Sequence, residues 1–206
     1  MEAVALILIA GALFCHSWSI LGLYPDGRTM GVYMGALGVA ALIAITFDPM
    51  LLIGGDVEAL TDAGGFPGDK AYSLASGLAE ITVMKVLIVV WAAYAIGVAA
   101  QGLWDYDERA IGFYCAIPAA VSLAALFFFG GNLFDPYGSA VSITLSAAAL
   151  ILSLLAGVLF FYLAVPFVVL RLVAGWSTLV GSIAVMLLGL AIASTIIEVD
   201  LITKAL

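Results

Sequence analysis

Six long apolar runs limit how this sequence can fold more than any other feature does. A helix needs about 20 apolar residues to cross the hydrocarbon core of a membrane, and each run has or approaches that length. Hydrophobic residues make up 66% of the 206 residues and charged residues only 10%, whereas about a quarter of a soluble domain is charged. The sequence therefore predicts an all-α integral membrane protein and excludes a soluble enzyme or a nucleic-acid-binding protein. The predicted spans of this single six-helix transmembrane domain, residues 1–206, lie at about 3–23, 31–47, 82–103, 110–129, within 139–170, and at 176–197.

The fifth run, residues 139–170, is longer than one membrane crossing requires. A helix of this length either tilts, projects from the membrane or is broken by Pro166, which has no N–H group to continue a helix. The three explanations remain open at this point.

Basic residues are concentrated in alternate loops. Arg28, Arg109 and Arg171 follow the first, third and fifth predicted spans. The loop after the second span is acidic with one base, Lys70, and the loop after the fourth holds Asp135 and no base. Because an excess of Lys and Arg marks cytoplasmic loops, we expect the three arginines on the cytoplasmic side and both termini outside.

Two segments of the chain share a motif. Residues 26–33 read DGRTMGVY and residues 107–114 read DERAIGFY, and a Gly-Leu pair precedes each of them. The spans that follow end in the same Phe-Asp-Pro tripeptide, and a weaker third copy, RLVAGW, begins at Arg171. A motif that recurs at an inner loop predicts a repeated helical hairpin. The three predicted hairpins cover about 3–49, 82–136 and 139–197.

The charged residues of these inner loops have a sufficient structural explanation. Asp26 and Asp107 each stand where an acidic side chain can cap the N-terminus of the returning helix. Each can instead pair with the arginine two residues later, Arg28 or Arg109. We therefore expect these residues, together with Arg171, to hold the inner loops rather than to contact a solute.

A family resemblance follows from these residues. Residues 91–103, WAAYAIGVAAQGL, give a span with a tyrosine and a Gly-Leu turn, and residues 107–115 begin the next span with aromatic side chains. With the repeated hairpin and the arginine-bearing loops, they resemble the AmiS/UreI family of urea and short-chain amide channels. The resemblance is best over spans one to four. The fifth span differs, because it has phenylalanines and a tyrosine where the family has several tryptophans.

The resemblance implies a passive pore for a small neutral solute in each protomer of a homo-oligomer, a hexameric ring. It also implies an integral protein of a prokaryotic plasma membrane, with the lipid bilayer and the solute as its partners. No cofactor is expected, because the sequence contains no phosphate-binding loop and no cluster of carboxylates within the spans.

Three residues within the predicted spans are the main candidates for lining such a pore. His16 is the only histidine, and an ionisable residue inside a span is by default a functional hypothesis. It either lines a pore or bonds to the backbone or a hydroxyl group of a neighbouring helix. Trp91 and Tyr94 lie about one helical turn apart, so they form either a slot for a flat amide or ordinary helix packing.

Two serines of the fifth span are weaker candidates. Ser142 and Ser146 belong to a weakly polar stripe that also includes Ser139 and Ser153. Such a stripe lines a pore or, more commonly in membranes, allows close packing of helices.

Four charged residues surround the predicted outer mouth, namely Asp48, Glu80, Lys85 and Asp135. They form either a charged vestibule or structural ion pairs, in which Lys85 can also extend toward the membrane surface. A metal site is not expected, because there is one histidine and the two cysteines, Cys15 and Cys115, are far apart in the sequence.

The sequence thus leaves two classes of function. The first is a passive channel or facilitator for small neutral solutes such as urea or short-chain amides. The second is a structural or accessory subunit of a larger membrane protein complex, which the sparse polar groups of the spans favour. No pairing of a nucleophile with a base is apparent, so an enzyme is not predicted.

Overall fold

The computed structural model describes residues 2–23, 26–46, 67–131, 140–165 and 169–205, with side chains described within 3–23, 26–46, 82–130, 143–165 and 169–194. These residues form helices and the turns between them. The helices are α1 (Glu2–Leu21), α2 (Gly27–Thr46), α3 (Pro67–Trp104), α4 (Glu108–Tyr114), α5 (Ala116–Gly131), α6 (Ala140–Ala164) and α7 (Leu170–Ala205).

Six segments of these helices are long and apolar enough to cross a membrane. The predicted all-α integral membrane protein is therefore confirmed, and each predicted span overlaps an observed one. The observed spans are Ala3–Leu21, Gly27–Thr46, Thr82–Trp104, Glu108–Gly130, Ile143–Ala164 and Leu170–Ser194.

The fourth span is built from two helices, α4 and α5, that meet at Cys115. Pro118 lies four residues after Tyr114 and has no N–H group to donate to the Tyr114 carbonyl, which accounts for an interruption at this position. The Cys115 N–H bonds to the carbonyls of Ile111 and Gly112, both at 3.0 Å, and helical bonding resumes from Ala119 to Cys115. The chain therefore crosses as one span with a local irregularity.

Two boundaries differ from the predicted spans. Helix α3 begins at Pro67, well before the apolar run that starts at Thr82. A hydropathy pattern detects apolar residues and gives no signal for a polar helical segment that precedes them. The long fifth run is divided: α6 ends at Ala164 and α7 begins at Leu170. Of the three explanations for that run, the break is the observed one. Pro166 itself lies outside the described residues.

The spans pack in a closed ring that follows the order of the chain. Helix α1 contacts α2, α2 contacts α3, α3 contacts α4 and α5, these two contact α6, and α6 contacts α7. The ring closes because α7 packs extensively against α1, and α1 also reaches α3 across it. The buried core contains side chains from every span, including Leu13, Met34, Trp91, Phe129 and Leu159.

Small residues allow the neighbouring helices to approach closely. A Cβ atom added at Gly31 of α2 would lie 3.0 Å from the Ala99 carbonyl oxygen of α3, and one at Gly38 would lie 3.0 Å from that of Ala92. A Cβ atom at Gly112 of α4 would lie 2.3 Å from the backbone nitrogen of Ala164 in α6. Backbones in such close contact gain van der Waals packing, which drives helix association in membranes.

The closest of these contacts gives a stability test. We expect Gly112→Ala to lower the free energy of unfolding by about 1–3 kcal/mol, because the new methyl group would overlap the α6 backbone, which cannot rotate away. The matched control is Gly157→Ala in α6, since an added Cβ there meets nothing within 4 Å. Denaturation of both variants in the same detergent measures the difference, and equal stabilities would contradict the close contact.

Candidate functional site

The two inner turns of the motif are capped in the same way. The Asp26 carboxylate accepts a hydrogen bond from the backbone N–H of Arg28 at 3.1 Å, and Asp107 accepts one from that of Arg109 at 3.0 Å. Each aspartate therefore caps the next helix through the backbone of the arginine, the first of the two expected roles. Asp26 also accepts from the Thr29 hydroxyl, and that bond is the main reason that the pKa of Asp26 is lowered.

The preceding helices end in left-handed residues. Gly22 has φ 71°, and the bonds from Gly22 N–H to Ser19 and from Leu23 N–H to Trp18, both 3.1 Å, form a Schellman motif at the end of α1. Helix α3, which ends at Trp104, is instead followed by Asp105, with φ 54°. The structural counterpart of Gly22 is therefore Asp105 and not the glycine of the second Gly-Leu pair.

That glycine, Gly102, has a packing role instead. It lies inside α3, where an added Cβ atom would be 2.7 Å from the Gly27 carbonyl oxygen. The Gly-Leu match hid this difference because α3 continues past Gly102 to Trp104, so the second turn, residues 105–107, is shorter than the first, residues 22–26.

Arg171 joins the third turn to the first. Its Nε atom donates to the Ile20 carbonyl oxygen at 2.7 Å. Ile20 belongs to the last turn of α1, where carbonyl groups lack helical partners and a cation is favourable. Gly27, Asp105, Glu108 and Arg171 line one common cavity, so the three arginine-bearing turns lie at one end of the bundle, which we call the arginine end.

A vestibule of about 550 Å³ opens at the arginine end. We use this name for the cavity lined by the polar residues His16, Ser19, Gln101, Asp105, Glu108 and Arg171 and by apolar residues that include Met30, Met34, Val98 and Leu163. Its charged residues are of both signs and derive from the turns, whereas His16 derives from within the first span. The vestibule therefore extends from the end of the bundle into the membrane-spanning part.

His16 lies where the vestibule meets the buried core. Its side chain is only 5% exposed, and its Nδ1 atom lies 2.9 Å from the Tyr94 hydroxyl oxygen. The two open roles of His16 are thus compatible, because it lines a cavity and also bonds to a hydroxyl group of a neighbouring helix.

Tyr94 and Trp91 continue this contact into the core of the bundle. The Trp91 Nε1–H group donates to the Ser122 hydroxyl of α5 at 3.0 Å, and the rings of Trp91 and Tyr94 meet edge to face at 5.5 Å. Both side chains are fully buried. Ser122 was not a sequence candidate, because a single serine in an apolar run carries no signal of its partner.

The serine stripe of the fifth span has no common role among the described residues. Ser146 is buried, and its hydroxyl oxygen has no hydrogen-bond partner among them. Ser153 donates to the Ala119 carbonyl oxygen of α5 at 3.4 Å, which indicates helix packing. The side chain of Ser142 lies outside the described residues.

Most of the predicted outer residues cannot be compared with the structure. Asp48, Asp135 and the side chain of Glu80 lie outside the described residues, and Lys85 is half-buried on α3. In the part of the chain that is described, no group of three or more His, Cys, Asp or Glu side chains is arranged to hold a metal ion. Both cysteines are free thiols.

The fold and its apolar spans define the class of this chain, an all-α integral membrane protein with six membrane-spanning helices. Comparison with protein-family models, with curated proteins and with solved structures finds no match to it.

The bond between His16 and Tyr94 gives a second stability test. We expect Tyr94→Phe to lower the free energy of unfolding by about 1–2 kcal/mol, because it leaves a buried imidazole nitrogen without its partner. The control is Tyr33→Phe, since Tyr33 is 59% exposed on the outside of α2. Thermal unfolding in detergent provides the measurement. A Tyr94→Phe variant as stable as Tyr33→Phe would show that the bond contributes nothing.

Proposed function

We propose that this chain is a passive channel or facilitator for small neutral solutes such as urea or short-chain amides. The observation that carries the proposal is the polar vestibule, which runs from the arginine end to His16 inside the first span. A polar cavity within a membrane-spanning bundle is expensive to maintain unless it admits water or a polar solute.

The chemistry of the vestibule suits an uncharged solute. Asp105 and Glu108 disfavour anions, whereas Arg171 on the same cavity disfavours cations. An amide or urea carries both hydrogen-bond donors and acceptors, so it matches Gln101, which carries both on its side chain. Solute selection of this kind needs no bound cofactor.

In this proposal the aromatic pair forms the barrier beyond the vestibule. A solute that passes His16 reaches Tyr94, whose ring packs on Trp91 in the core. Both rings are fully buried, so passage requires them to rotate or shift. Their polar edges, bonded to His16 and Ser122, provide the alternative partners that a passing amide group needs.

Three glycine contacts support the repeated-hairpin architecture. In each of the three turns a glycine follows the arginine by three or four residues, at the start of the second span of a hairpin. Each glycine meets the end of the first span of the following hairpin around the ring. These contacts are Gly31 with Ala99, Gly112 with Ala164, and Gly175 with Leu21. We therefore propose three repeated hairpins of about 3–49, 82–136 and 139–197, related around the bundle axis.

The remaining proposals concern orientation and assembly. With the arginine end on the cytoplasmic side, both termini lie outside, as the positive-inside rule favours. The location that we propose is a prokaryotic plasma membrane, and the assembly is a homo-oligomer, a hexameric ring, as the AmiS/UreI resemblance implies.

A flux assay tests the proposed function. Proteoliposomes are mixed rapidly with urea, acetamide or glycerol, and light scattering follows the volume change. We expect faster urea and acetamide entry than in empty liposomes, and a several-fold loss of that flux in Met30→Trp, because the indole fills the vestibule that Met30 lines.

The matched control is Val32→Trp, two residues away on the same helix and 56% exposed on its outer face. This variant should keep the flux of the unmodified protein. Equal flux in the two tryptophan variants would show that the solute does not pass through the vestibule, and would contradict the proposal.

The second candidate is a structural or accessory subunit of a larger membrane complex. The observation that favours it is the closed packing of Trp91, Tyr94 and Ser122 beyond the vestibule. A protein whose reconstituted flux equals that of empty liposomes for all three solutes, and which purifies with a different membrane protein in a fixed ratio, would support this role.

A further inference from the structure

A second cavity lies beside the vestibule at the arginine end. It has a volume of about 390 Å³ and is lined by Ile20, Leu21, Gly22, Arg171 and Leu172. These residues belong to the end of α1 and the start of α7, so we call the cavity the α1–α7 groove. Its walls are apolar side chains, apart from one guanidinium group. No carboxylate is among the lining residues that the structure describes.

The guanidinium of Arg171 has N–H groups that do not bond to the described residues. Its Nε–H group is bonded to the Ile20 carbonyl oxygen, and this is the one hydrogen bond that it makes with the described residues. The Nη2 atom lies near Gly22, 2.8 Å from where a Cβ atom would be placed. Arginine carries five N–H donors in a fixed planar arrangement, and the described residues accept a bond from one of them.

The position of the groove is that of a lipid head group. Both the Leu21 end of α1 and the Leu170 end of α7 terminate membrane spans, so the groove lies where hydrocarbon gives way to the polar interface. The adjoining face of α7 is apolar and exposed, with Leu172 67% and Trp176 54% accessible. An acyl chain has a surface to follow directly below the guanidinium.

On the α7 side of the groove, the helix dipole favours a negative charge. The first N–H groups of α7 lack helical partners and carry the positive end of its dipole. The Ile20 carbonyl, which would repel an anion, is already occupied by the Arg171 Nε–H group. A phosphate facing Arg171 therefore meets N–H groups that the described residues do not use, and the start of a helix.

We propose that the α1–α7 groove binds an anionic phospholipid, with its phosphate on the Arg171 guanidinium and its acyl chains along the exposed face of α7. The apolar walls select an amphiphile over free phosphate. The described lining residues carry no carboxylate and so give the ammonium group of a zwitterionic head group no partner, which favours an anionic lipid such as phosphatidylglycerol. The proposal does not depend on solute transport.

The experiment titrates the purified full chain in detergent with short-chain phosphatidylglycerol and follows the thermal midpoint. Ligand that binds the folded state raises this midpoint. Short-chain phosphatidylcholine and inorganic phosphate are titrated in parallel. We expect a saturable rise with phosphatidylglycerol alone. An equal rise with phosphatidylcholine or with inorganic phosphate would overturn the proposal.

Two variants locate the site. Arg171→Gln should weaken the apparent affinity for phosphatidylglycerol about tenfold or more, because it removes a charged hydrogen-bonding group from the lipid phosphate. The matched control is Arg28→Gln, since Arg28 lies exposed at the same end but does not line the groove. This control should keep the affinity of the unmodified chain. An equal loss of affinity in both variants would show that general surface charge causes the effect, and would overturn the proposal.

Arg171→Gln also loses the bond to Ile20, so a second variant avoids that contact. Leu172→Trp fills the groove with an indole and leaves the guanidinium in place. It should lose the rise in midpoint with phosphatidylglycerol. If Arg171→Gln does not fold, this variant decides alone, and binding retained in Leu172→Trp would overturn the proposal.

Discussion

The backbone of a membrane-spanning chain must find its hydrogen-bond partners within the protein, and at the arginine end this chain does so with a small set of side chains. Asp26 and Asp107 accept bonds from the free N–H groups at the starts of α2 and α4. Arg171 donates to a free carbonyl at the end of α1. Because Arg171 belongs to the last span and Ile20 to the first, one hydrogen bond both caps a helix and joins the two spans whose packing closes the ring. The shape of the vestibule and of the neighbouring groove depends on that closure.

Close packing of the spans makes the rest of the bundle possible. Lipid tails are as apolar as leucine side chains, so helices in a membrane associate through close contact and not through the hydrophobic effect. The glycines at 31 and 112 bring backbones together near the arginine end. Deeper in the bundle, the large side chains of Trp91 and Tyr94 fill the space and use their polar atoms within it. The outcome is a core that is tight at its middle and open toward one end.

The functional proposals follow from the difference between the open arginine end and the tightly packed middle of the bundle. Where the turns separate the helices, charges of both signs surround a cavity, and His16 marks its inner limit. Where the helices converge, a tyrosine and a tryptophan occupy the path and are bonded to His16 and Ser122. A neutral solute is disfavoured least by a cavity with charges of both signs that is followed by an aromatic barrier. Outside the ring, the groove at Arg171 combines a charge with apolar walls, an arrangement that suits a lipid better than a solute.

The approximate membrane spans and the positions of the charged turns could be predicted from the sequence alone. Runs of this length have one stable arrangement in a bilayer, the helix, so the class of fold and the approximate spans follow from residue order. The Asp-x-Arg motif likewise predicted either a cap or an ion pair at the starts of α2 and α4, and the observed cap is local, since an N-cap acts within one turn of its own helix. The interruption at Cys115 follows from the missing N–H group of Pro118, which is also a local effect, although no interruption of the fourth span was predicted.

The contacts between spans were decided only by the tertiary structure. His16 and Tyr94 are 78 positions apart, and Arg171 and Ile20 are 151 positions apart, so no periodicity relates either pair. Ser122 and Ser146 look alike in the sequence, yet one accepts a bond from Trp91 and the other has no partner among the described residues. The sequence determined which segments cross the membrane, because that depends on the transfer of each segment into lipid. The ring order of the spans determined which polar groups meet, because a buried donor or acceptor can bond only to a polar atom that a neighbouring helix places within about 3 Å of it.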